Sequence, residues 1–110
     1  MIKIELKRKI NHEYFCGLKV FGHSNFARKG KDIVCAAVST LVQTAYALFK
    51  TCVTSEIKQS DNGKCFEIEI ENVADDDYEK IINYCDFLIT GLFLIEKHYP
   101  DYVKIIILED

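Results

Sequence analysis

No stretch of this chain is basic, apolar or repetitive enough to place it in several familiar classes. Lysine and arginine number 14 against 17 aspartates and glutamates, a formal charge of -3. No basic run is sustained, so a nucleic-acid-binding domain, whose phosphate contacts leave a basic patch, is not expected. The longest apolar run, Phe87 to Ile95, falls far below the ~20 residues that cross a bilayer and is broken by Thr90 and Gly91. The start, Met1-Ile2-Lys3-Ile4-Glu5-Leu6, alternates charge with apolar side chains where a signal peptide needs an unbroken apolar core. A soluble, cytoplasmic protein is the expectation. The five cysteines (Cys16, Cys35, Cys52, Cys65 and Cys85) form an odd set with no tight pair, which fits thiols in a reducing compartment and not a disulfide framework. A zinc site is not expected either. His12 and Cys16 come nearest to a ligand pair, and four positions apart on a strand they lie ~13 Å from each other. No phosphate-cradling glycine loop follows a strand, so no cofactor is implied. Repeats, low-complexity tracts and linkers are absent, and 110 residues predict one domain over 1–110.

What the chain does hold is an ordered core, with 49% apolar and 28% charged residues. Residues 2–9 alternate as a strand with Ile2, Ile4 and Leu6 on one face, and Asn11-His12-Glu13 turns the chain into a second strand over 14–21. From His23 to Lys31 the pattern has no period and is bordered by Gly22 and Gly30, which reads as a loop. Asp32 is a credible N-cap for a helix to about Lys50, with Val34, Val38, Leu41, Ala45 and Leu48 at helical spacing. Two further strands over 53–58 and 65–71 join through Asp61-Asn62-Gly63. Asp75-Asp76-Asp77 places acid in the first turn of a second helix, and the single proline, Pro100, lies beyond its end. Residues 102–108 are nearly all apolar, which predicts a last strand in the sheet interior. The order ββαββαβ predicts an α+β two-layer sandwich with two helices packed on a mixed sheet.

The stretch Gly22 to Ser39 concentrates the chemistry. If Asp32 caps the helix, Cys35 falls in its first turn, where backbone N–H groups and the positive macrodipole end favour a thiolate. Arg28, Lys31 and Lys29 add cations from the loop. The same N–H groups offer an oxyanion site for acyl transfer. His23 ends a strand whose loop returns to that helix start, so Cys35 and His23 read as a dyad in which the imidazole takes the thiol proton. The competing readings are a packed small residue for Cys35, a solvated loop histidine for His23 and a plain helix cap for Asp32. Ser39 lies one turn after Cys35 and either back-bonds to the helix or meets substrate. Phe26 is either a core plug or a hydrophobic wall for a ligand. A peptide-binding module and a thiol redox sensor are the alternatives to an enzyme.

The segment Gly22-His23 … Gly30-Lys31-Asp32-Ile33-Val34-Cys35-Ala36-Ala37-Val38-Ser39 resembles the ribosomal-processing cysteine protease Prp family, formerly of YsxB type, through a G-H-x-x-F/Y…G-x-D-I-V-C-A-A-V-S pattern. That resemblance implies a bacterial cytoplasmic homodimeric endopeptidase that removes the N-terminal extension of large-subunit ribosomal protein twenty-seven. It places the catalytic pair on His23 and Cys35, a hinge glycine on Gly22, and Asp32 and Ser39 near the pair. The apolar second helix and Ile105, Ile106, Ile107 and Leu108 also hold more apolar surface than one subunit is expected to cover.

Overall fold

The structure is a computed structural model that describes residues 1–9, 12, 14–23, 26–28 and 31–109. Five strands form one sheet: β1 (Ile2–Arg8), β2 (Phe15–Phe21), β3 (Glu56–Asp61), β4 (Cys65–Glu71) and β5 (Val103–Glu109). Their order across the sheet is β3-β4-β2-β1-β5. β1 runs antiparallel to β2 and parallel to β5, which makes the sheet mixed. Two helices, α1 (Ile33–Cys52) and α2 (Tyr78–His98), complete the expected α+β two-layer sandwich.

Strand alternation decides which face the helices cover. Ile4 pairs with Val20 and Ile105, Leu6 with Leu18, and Leu18 with Ile68, so these apolar side chains share the inner face. The outer face carries Lys3, Glu5, Lys7, Lys19, Glu67 and Glu69, with Lys19 opposite both Glu5 and Glu67. Ile4, Val34, Ile81 and Leu92 are wholly buried where the layers meet, and burial of each such side chain contributes about 1.5–3 kcal/mol. Helical spacing picked the right side of α1 in part. Val34, Val38 and Ala45 are buried, but Val42 and Phe49 complete the stripe where Leu41 and Leu48 were expected. Leu41 turns sideways toward α2, where an added Cβ on Gly91 would lie 2.7 Å from its Cδ1. Phe49 and Tyr84 meet edge to face at 6.0 Å. These two contacts set the helices antiparallel, with the start of α1 beside the end of α2. By length and composition alone α1 could cross a membrane, yet it lays its Val34–Phe49 stripe on the sheet as a core helix does.

Two expectations are corrected. β5 is an edge strand, not an interior one. Its apolar run reflects contact with α2 on one side, while Ile107 and Leu108 remain exposed. The acidic run is a 3₁₀ turn over Asp75–Asp77 that precedes α2, and Asp77 is buried. Its carboxylate accepts from the main-chain N–H groups of Thr54 and Ser55, both at 2.8 Å, and from their hydroxyls at 3.0 and 2.7 Å. The Ser55 hydroxyl first, and the Thr54 donors after it, hold the Asp77 carboxyl below the usual range against the cost of burial. This residue ties the exit of α1 to the entry of α2. The β3–β4 turn forms as expected, with Gly63 at φ 82° and Asn62 accepting from Lys64 and Cys65. The predicted turn at 11–13 falls mostly outside the described residues.

Candidate active site

Asp32 does cap α1. Its Oδ1 accepts from the N–H groups of Val34 at 3.1 Å and Cys35 at 3.0 Å, and its carbonyl accepts from Ala36 at 3.1 Å. Its Oδ2 also takes the N–H of Ala27 at 3.5 Å, so one side chain fixes both the helix start and the loop leading into it. Two of the helix-start N–H groups, those of Val34 and Cys35, are thus engaged by Asp32, and the helix start also offers Cys35 the positive end of the macrodipole.

The Cys35 side chain is half-buried and lines a groove of about 200 Å³ between α1 and the inner face of the sheet. Val20 and Phe66 from the strands, with Val38 and Val42 from α1, form its apolar walls. Ser39 and Gln43 supply polar groups. Cys35, Ser39 and Gln43 are four residues apart, so one stripe of α1 faces the groove. Asp61 closes it from the end of β3, paired in register with Phe66 of β4. On the inner side of β3, Ile57 packs partly against the core while Gln59 and Asp61 stay exposed, which leaves the groove open at that end.

Gly22 lines the same groove from the end of β2. Its φ is 86°, and an added Cβ would stand 2.4 Å from the Met1 carbonyl oxygen. Glycine is required twice over, by the dihedral and by the close approach of β1. His23 follows at once and is exposed, outside the residues that line the groove. Phe26 stacks edge to face on Tyr99 at 5.6 Å and on Tyr102 at 5.1 Å. That pins the middle of the loop to the chain segment after α2, where the sequence showed no periodic anchor. Ser24, Asn25, Lys29 and Gly30 lie outside the described residues.

Sequence reading thus singled out Gly22, Cys35 and Ser39, which the fold gathers on one groove, and it missed Val20, Gln43, Asp61 and Phe66. Gln43 was within reach, since it continues the four-residue spacing from Cys35. Asp61 and Phe66 depend on strand register, which no local pattern gives. Among the described residues no group of three or more histidines, cysteines or acids is arranged to hold a metal ion.

Known proteins match this chain along most of its length. The family described as cysteine protease Prp matches residues 1–104. A curated relative, the ribosomal processing cysteine protease Prp of Mycoplasma pneumoniae, is 31% identical over 87 residues, covering 79% of this chain and 82% of that protein. Two solved structures share the fold, both of an essential ribosomal processing protease Prp from S. aureus. One, with a covalently linked product peptide, is 21% identical with a TM-score of 0.81, covering 97% of this chain and 99% of that one. The other, with a substrate peptide, is 19% identical with a TM-score of 0.75 and the same coverage. A protease assignment sets aside the non-catalytic binder and the redox sensor as readings of the whole protein. With the family match over residues 1–104 and the shared fold in agreement, this chain belongs to the cysteine protease Prp family and is a cysteine endopeptidase.

Proposed function

We propose that this protein removes the N-terminal extension of large-subunit ribosomal protein twenty-seven, with Cys35 as nucleophile and His23 as general base. The observation that carries the reading is the position of Cys35 on the wall of an open, largely apolar groove at the start of α1. A peptide laid in this groove brings a carbonyl carbon to the sulfur. His23 takes the thiol proton, the C–S bond forms as the C–N bond breaks, and the proton passes to the departing amine. Water then attacks the thioester with the imidazole as base, releasing the acid and restoring the thiol. Gly22 sets the turn that aims His23, Asp32 holds the helix start and the loop, and Phe26 anchors the loop on Tyr99 and Tyr102. Ser39 and the apolar walls contact substrate. No metal or cofactor takes part.

Support for the substrate class comes from the relatives. The Mycoplasma pneumoniae protein is named for ribosomal processing, and the S. aureus fold neighbour was solved with a substrate peptide. The reading places the protein in the bacterial cytoplasm as a homodimer, with the ribosomal protein's N-terminal segment as partner and no direct contact with nucleic acid. Incubation with that ribosomal protein, followed by mass spectrometry, tests it. One cut that leaves a shortened N-terminus is expected. An intact protein after prolonged incubation, while another peptide is cut, would assign a different substrate.

A further inference from the structure

One row of inner-face residues crosses the sheet at the groove. Ile4 pairs with Val20, Val20 with Phe66, and Phe66 with Asp61, so the row passes from aliphatic to aromatic to acidic side chains. Burial falls along it, from Ile4 inside the core to exposed Asp61 on β3. Asp61 is the one carboxylate or cation among the described residues that line the groove. Its Oδ1 accepts the N–H of Gly63 at 2.9 Å and so closes the β3–β4 turn. That turn needs only an acceptor, which asparagine supplies equally well, so the negative charge is not a requirement of the turn. Among the described residues no cation neutralises it. The ion pairs of β3 are those of Lys58 with Glu56 and Glu71, and Lys64, close by in the turn, makes none. A carboxylate at the rim of an apolar groove attracts cations, because low-dielectric walls concentrate its field on whatever enters.

We infer that Asp61 is a specificity-determining residue that selects a lysine or arginine side chain of the substrate close to the scissile bond. The inference rests on the proposed function and adds a charge requirement to a groove whose walls otherwise read apolar surface. Cys35 lines the groove from α1 and Asp61 from β3. Two strand spacings separate Asp61 from Val20, about 10 Å, which an extended peptide covers in about three residues. The cation that Asp61 reads therefore falls within about four positions of the cut. Gln43, on the α1 wall, offers an amide oxygen to the same ammonium or guanidinium group. An acidic side chain at that position meets repulsion from Asp61 with no cation lining the groove to offset it. Because Asp61 is exposed, solvent screens the pair, and the selection it exerts is about fivefold.

A peptide series tests the assignment. The peptide spanning the cut in the ribosomal protein is made unaltered, with every lysine and arginine changed to glutamine, and with one lysine or one glutamate set at each position within about four of the scissile bond. kcat/KM is measured on each for wild type, Asp61→Asn and Asp61→Lys, with circular dichroism to verify folding. Wild type should prefer lysine over glutamine about fivefold at one position, mostly through KM, and the preference should fade at high salt. Asp61→Asn, which keeps the acceptor for Gly63, should bring that ratio close to one. Asp61→Lys should reverse it in favour of glutamate. A carboxylate that served only the turn would lower the rates on all peptides together and leave the ratio as in wild type, and that result would overturn the inference. So would a wild-type preference below about twofold at every position. Failure of wild type to cut any peptide of the series, the unaltered one included, would fall on the proposed substrate and remove the inference with it.

Discussion

The N–H of Cys35 donates to Oδ1 of Asp32 at 3.0 Å, so the proposed nucleophile is held through its own backbone by the side chain of its helix cap. The same carboxylate takes the N–H of Ala27 in the preceding loop. Replacement by alanine releases both, and Asp32→Ala should cost about 1 kcal/mol of stability and most of the cleavage rate. Asp32→Asn keeps an acceptor and should retain the stability. If the asparagine variant melts like wild type and also cuts like it, the role is capping alone. A stable asparagine variant with little activity assigns a further role to the charge.

Gly22 gives a second test. A side chain there meets the Met1 carbonyl oxygen at 2.4 Å with the backbone at φ 86°, and a non-glycine residue in such a conformation is strained by about 1–3 kcal/mol. Gly22→Val should lower both the melting temperature and kcat, because relief requires the end of β2 to move and His23 with it. A Gly22→Val protein with wild-type kcat would show that the turn does not position the histidine.

Thiol reactivity should separate the cysteines. Burial pushes the Cys85 thiol up to about 12, whereas the exposed Cys52 thiol is lowered by the Thr51 hydroxyl and then by that of Tyr84. A small alkylating reagent near neutral pH should therefore modify Cys52 and spare Cys85, as read by peptide mass mapping. A peptide-like electrophile should instead select Cys35. Preferential loss of Cys85 to the small reagent would contradict the packing of α2 on the sheet.

Acid stability should depend on Asp77. Its pKa is lowered in the folded protein, so the stability it contributes is complete above the ordinary aspartate value and is lost as pH falls through the folded value. Asp77→Asn should melt several degrees lower at neutral pH and show a shallower decline of stability on acidification than wild type. Parallel declines would mean that other carboxylates carry the acid response.

How much of this was legible beforehand follows from the range of each signal. The cap at Asp32, the turn at Gly63 and the alternation of Ile2, Ile4 and Leu6 are set within a few residues and were readable. The edge position of β5 was not, because a run of apolar residues is the same whether a second strand or a helix covers it. Asp77 reads from sequence as acid in the first turn of a helix because its partners, Thr54 and Ser55, lie more than twenty residues away. Cys35 and Ser39 were legible by helical spacing. The groove they line was not, since Asp61 and Phe66 reach it only through the pairing of β3 with β4.

The central claim, that Cys35 is the nucleophile, is tested most directly by measuring cleavage and binding of one ribosomal-protein peptide by wild type and by Cys35→Ala. The account predicts no detectable cleavage by the alanine variant, with peptide affinity close to that of wild type, since the sulfur contributes to the chemical step and little to ground-state binding. Cleavage by Cys35→Ala at a rate near wild type would contradict it.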